Sequence, residues 1–114
     1  MIVSAWRNSS AQKTTGTRFG LRLGKPLRDR LLNCGVKQVT LHLQHGPTLL
    51  VTLKEAFWNK CPEFKHPEIG PWMLSHGIPI PWSPGQPPKF RLVQHGPAEF
   101  EVRPIHLSAP SANL

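Results

Sequence analysis

From residue 36 to residue 53 apolar and polar side chains alternate in two runs. Val39, Leu41 and Leu43 are separated by Thr40 and His42, and Leu49, Val51 and Leu53 by Leu50 and Thr52. A period of two places one set of side chains on a single face of an extended chain, so each run predicts a half-buried strand. Gln44-His45-Gly46-Pro47 lies between them and supplies turn chemistry, which makes residues 36–43 and 48–53 a hairpin. The same tetrapeptide returns as Gln94-His95-Gly96-Pro97, with Phe90 and Leu92 leading in and Phe100 and Val102 leading out. A second hairpin over residues 90–102 follows, and the echo points to an internally duplicated barrel. Residues 17–23 alternate too: Phe19, Leu21 and Leu23 face one way, Arg18, Gly20 and Arg22 the other.

The remaining segments punctuate these strands. Gly24 ends the first one, and Pro26 suits the first turn of a short helix over residues 26–33, with Leu27, Leu31 and Leu32 as its apolar stripe. Residues 54–61 predict one or two helical turns stopped by Pro62. A further helix starts near Gly70, with Pro71 in its first turn, and stops at Gly77. The proline-rich stretch 78–88 favours polyproline II. Residues 8–16 are polar and aperiodic. The expected organisation is therefore a flexible basic arm over 1–16, one compact α+β domain over 17–104 and a disordered tail over 105–114. The expected fold is a small open β-barrel or pseudobarrel of two hairpins plus an N-terminal strand, with two or three short helices.

Composition narrows the class. The 114 residues make one ordinary domain, and four tryptophans with five phenylalanines imply a packed core despite thirteen prolines. Cys34 and Cys61 are too few for a secreted disulfide scaffold, no run approaches a membrane span, and the first residues lack a signal peptide's apolar stretch. The expectation is a cytoplasmic protein with reduced thiols and no membrane contact.

Charge changes the picture most. The net charge is +8, and residues 1–37 carry +7 of it: Arg7, Lys13, Arg18, Arg22, Lys25, Arg28, Arg30 and Lys37 against Asp29 alone. Residues 38–114 hold six basic and five acidic side chains. Self-repulsion makes such an asymmetry costly unless a polyanion offsets it.

Two resemblances bear on this. Phe57-Trp58-Asn59-Lys60-Cys61-Pro62-Glu63, then Glu68-Ile69-Gly70-Pro71-Trp72, then Pro81-Trp82 and Pro87-Pro88 before a strand, resemble a group of small uncharacterised bacterial proteins sharing the pattern FWxxCPE, EIGxW, PW and PP. That resemblance implies a bacterial origin and one compact domain, and carries no activity. The order of hairpins and interposed short helices resembles the DNA-binding pseudobarrel, in which basic arms flank the barrel and enter the major groove. It implies that Arg18 and Arg22 belong to one such arm.

The chemistry-bearing residues follow from there. Guanidinium groups at Arg18 and Arg22 suit phosphates and guanine edges, and Lys25, Arg28 and Arg30 flank the first helix as further phosphate contacts. Trp6 lies in the arm, free to stack on a base or dock into its own core. Cys34, His42, Cys61 and His66 do not have zinc-ribbon or zinc-finger spacing, so no metal or other cofactor is expected. No catalytic motif occurs, and no Asp or Glu lies in residues 30–54, so no enzyme is expected. Trp58, Trp72 and Trp82 with Pro84 and Pro87 compose either an internal packing layer or an aromatic surface for a protein partner. The leading expectation is a non-catalytic nucleic-acid-binding protein, DNA before RNA, that neutralises phosphates with the basic residues of its first third. A protein-interaction module using the tryptophan–proline region 58–88, antitoxin-like or adaptor-like, is the alternative, and RNA binding a further one.

Overall fold

The computed structural model describes residues 1–12, 17–60, 62–80 and 82–105. Its strands are β1 (Ile2–Gln12), β2 (Thr17–Arg22), β3 (Gln38–Leu43), β4 (Thr48–Thr52), β5 (Glu63–Lys65), β6 (Lys89–Gly96) and β7 (Glu99–Pro104). Three short helices interrupt them: α1 (Lys25–Leu31), α2 (Glu55–Asn59) and α3 (Ile69–Ser75). The seven strands form one mixed sheet in the order β4-β3-β7-β6-β1-β2-β5, curled into a nearly closed barrel. Every neighbouring pair is antiparallel except β3 and β7, which run parallel. The small α+β barrel expected from the alternation is what the chain forms.

The alternation decides what lies inside. Val39, Leu41 and Leu43 of β3 and Leu49 and Val51 of β4 are buried, while Leu50 points outward. Phe19 and Leu21 of β2, Phe90 and Leu92 of β6, and Phe100 and Val102 of β7 fill the same interior. The helices stopper the ends. Topology places α1 and α2 where β2 and β4 finish, and Arg28 of α1 bonds the carbonyl oxygens of Phe57 (3.2 Å) and Trp58 (2.8 Å) in α2. At the opposite end the α3 residue Trp72 donates from Nε1 to the Gln44 carbonyl in the β3–β4 turn, at 3.0 Å. Pro71 sits in the first turn of α3, where its missing N–H has no intrahelical role, and Gly77 follows the helix in the left-handed region at φ 70°. No helix among the described residues is long and apolar enough to cross a membrane.

Three expectations need correction. The leading segment is not an aperiodic arm up to residue 16: Ile2–Gln12 is β1, paired with both β2 and β6, because Val3 and Ala5 alternate with Ser4 and Trp6 and bury themselves. Residues 13–16 and the tail from residue 106 lie outside the described residues. The three-residue β5 was not foreseen; Phe64 anchors it in the core while its backbone pairs with β2. The repeated tetrapeptide is a repeat of letters and not of structure. Gln44–Pro47 is a tight turn with Leu43 N–H bonded to the Pro47 carbonyl, whereas Gln94–Gly96 belongs to β6 and carries a register shift before a turn at residues 97–98.

Candidate nucleic-acid interface

Once the core residues face inward, the intervening positions of β7, β6, β1, β2 and β5 are forced onto one outer surface. Cross-strand register aligns them: Arg91 of β6 lies opposite Arg103 of β7 and Ile2 of β1, Lys89 opposite Ser4, Ser4 opposite Arg22, Arg22 opposite Glu63. One step along, Trp6 lies opposite Gly20, and Gly20 opposite Lys65. The result is a band of five cations on four strands, Arg103 of β7, Lys89 and Arg91 of β6, Arg22 of β2 and Lys65 of β5, with Trp6 on the intervening β1 in the row of Lys65. With strands about 4.8 Å apart the band runs about 19 Å around the curved outside of the barrel.

Its counter-charges are few and engaged. Arg103 Nη2 bonds Glu101 Oε1 at 2.8 Å, and that hydrogen bond, then the one from His95, holds the Glu101 carboxyl below the ordinary carboxylate value. The same contact raises the Arg103 guanidinium above its usual value. Arg22 Nε bonds Glu63 Oε2 at 3.3 Å with the arginine still mostly exposed. Lys89 Nζ donates to Ser4 Oγ at 3.1 Å. Among the described residues no carboxylate lies within ion-pair distance of Lys89 or Arg91. The ammonium of Lys65 stands 4.9 Å from the centre of the Trp6 ring.

The eight cations singled out in the first third do not assemble together. Arg22 joins the band. Arg7 lies on β1 opposite Phe19, and its guanidinium sits 5.6 Å over the Trp82 ring, which meets Phe19 edge-on. Arg18 is part of β2, its side chain lies outside the described residues, and so does Lys13. Lys25 and Arg30 are exposed on α1 and Lys37 precedes β3, at the barrel end where β2 finishes. Arg28 is only 8% exposed; it caps α2, bonds Asp29 at 2.9 Å and lies 5.7 Å over Trp58, so it is a structural residue. Sequence reasoning missed Lys65, Lys89, Arg91 and Arg103. The signal was present: Lys89 and Arg91 alternate with Phe90 and Leu92, which assigns both to an outer face.

Trp58, Trp72 and Trp82 do not share a surface. Trp72 is 3% exposed and packs on Phe90 and against Gly46. Trp58 is half-buried against Phe57 and Arg28, and Trp82 against Phe19 and Arg7. Pro84 is exposed, and Pro87 lines a cavity of about 560 Å³ together with Ile78, Pro79, Pro88, Phe90 and Ile105.

Catalytic and metal chemistry leave a smaller trace. Glu99 Oε2, His42 Nε2 and Nδ1, and Thr48 Oγ1 form a cross-strand relay at 2.6 and 3.0 Å. It lies on the outer, solvent-exposed side of β7, β3 and β4. Cys34 is an exposed free thiol, Cys61 lies outside the described residues, and among the described residues no three metal-ligating side chains come together. Comparisons with protein-family models, curated proteins and solved structures return no match.

Proposed function

We propose that this protein is a non-catalytic nucleic-acid-binding module, DNA before RNA, that takes the phosphate backbone on the outer face of β7, β6, β1, β2 and β5. The observation that supports this best is the band itself. Five cations pair with only two carboxylates there, and the two least engaged, Lys89 and Arg91, are same-face neighbours on β6. Phosphate contacts made by lysine and arginine position a nucleic acid without reading its sequence, and a band set by strand register holds its charges without further ordering. The small α+β barrel is the kind of scaffold that the resemblance to the DNA-binding pseudobarrel implied. The proposed setting is the bacterial cytoplasm, with which the free thiol of Cys34 is compatible.

The test is the salt dependence of binding to a short DNA duplex with a single-stranded overhang, followed by fluorescence anisotropy. Three to five phosphates neutralised give a slope of log affinity against log salt between about −2 and about −4.5. A slope near zero, or no binding at low salt, removes the reading.

A further inference from the structure

We propose that the cationic face takes an unpaired polynucleotide strand, with one base stacked on the indole of Trp6. This rests on the reading of that face as a nucleic-acid surface. Trp6 projects outward from β1, one same-face step beyond the Ser4 row that holds Lys89 and Arg22, half-buried and outside the core. Its cross-strand neighbour is Gly20, where a Cβ would stand 3.3 Å from the indole Cε3 and 2.5 Å from the Phe64 carbonyl oxygen. No side chain fits there, and the bare backbone of β2 lets the indole lie over the sheet towards β5. What stands over the ring is Lys65, opposite Gly20 on β5.

The ammonium of Lys65 has a second place to go. Glu63 Oε1 lies 3.9 Å from Lys65 Nζ, on a side chain only 3% exposed, and it has no hydrogen-bond partner. A buried carboxylate oxygen left without a donor is costly, so a shift of the ammonium onto it is favourable. A base arriving over the indole displaces Lys65 from the ring. The displaced cation satisfies Glu63, while Arg22 and Lys89, registered opposite Ser4 one step along the same face, stand ready for the phosphates. An aromatic on the outer sheet surface with cations beside it suits splayed-out bases; the bases of a duplex already stack on one another and do not reach it.

The experiment compares labelled oligothymidylate of about 12 nucleotides, oligouridylate of the same length and a blunt duplex, each titrated with the parent, Trp6→Ala and Trp6→Phe. Loss of one stacked base weakens single-strand binding by about 5- to 150-fold in Trp6→Ala, leaves duplex binding within about 2-fold, and is largely rescued by Trp6→Phe. Tryptophan emission of the parent is quenched by the single strand, and Trp6→Phe removes that quench, a readout that survives if Trp6→Ala does not fold. Binding by oligouridylate as well as oligothymidylate supports the same stacking chemistry. Equal losses on single strand and duplex, or none on either, overturn the stacking while the phosphate-binding reading stands. Failure to bind any of the three probes overturns both.

Discussion

Arg28 offers the sharpest test of how this structure divides its cations between architecture and binding. The carbonyls of Phe57 and Trp58 belong to the last turn of α2, where helix geometry leaves them without partners. The guanidinium of Arg28 serves both, at 3.2 and 2.8 Å, and brings a positive charge to a helix C-terminus. Replacing Arg28 by Met keeps the apolar stem and removes the fork. The fully buried bond to Phe57 then leaves an acceptor unsatisfied, worth about 1–3 kcal/mol, and the half-buried bond to Trp58 contributes less because water reaches it. Loss of the contact over Trp58 adds about 0.5–1 kcal/mol. The pair with Asp29, whose carboxylate is largely exposed, adds little. Urea denaturation should therefore show Arg28→Met destabilised by about 2–4 kcal/mol with an unchanged m-value. Arg28→Lys should recover only part of this, since one ammonium cannot serve two carbonyls and a ring at once. Affinity for DNA, measured well below the unfolding transition, should not change. A loss below about 1 kcal/mol would refute the reasoning by showing that water replaces the fork.

The two glycines of the repeated tetrapeptide should behave differently. A Cβ at Gly46 would stand 2.5 Å from Cδ1 of the buried Trp72, so Gly46→Ala should cost about 1–3 kcal/mol in thermal or urea unfolding. At Gly96 the nearest atoms are 3.7 Å away on the side chain of Glu99, so Gly96→Ala should stay within about 0.5 kcal/mol of the parent. Glu101 has a folded-state pKa below its unfolded value, so its contribution is present above the ordinary carboxylate range and lost as pH falls through the lowered value. The stability difference between parent and Glu101→Gln should accordingly shrink on acidification; a difference that grows towards acid contradicts the assignment.

Most of the barrel was legible in the chain because its strands alternate cleanly. The first hairpin, the inward set Phe19, Leu21 and Leu23, and the helix beginning near Gly70 with Pro71 in its first turn all follow from local pattern. What escaped was set by tertiary pairing. β5 is too short to show a period and exists because Phe64 fills the core beside β2. The polar stretch after Arg7 gives no apolar rhythm, yet its backbone to Gln12 continues β1. The site was less legible than the fold. Charge counted along the chain directed attention to residues 7–37, whereas charge on a surface is sorted by strand face and register. Arg28 is adjacent in sequence to exposed cations and is nevertheless inside; Lys65, Lys89, Arg91 and Arg103 are scattered in sequence and share one face with Arg22.

The account stands most directly on which face carries the nucleic acid, and two charge reversals decide it. Lys89→Glu with Arg91→Glu alters the β6 cations of the band, and Lys25→Glu with Arg30→Glu alters α1 at the end of the barrel; all four side chains are exposed, so both variants should fold as the parent does by circular dichroism. With each lost phosphate contact worth about 5-fold near 0.15 M salt, the first pair should weaken binding to the overhang duplex by about 30-fold or more, and the second by less than about 3-fold. If the α1 pair abolishes binding and the sheet pair leaves it intact, the interface is on the wrong face and the central claim fails.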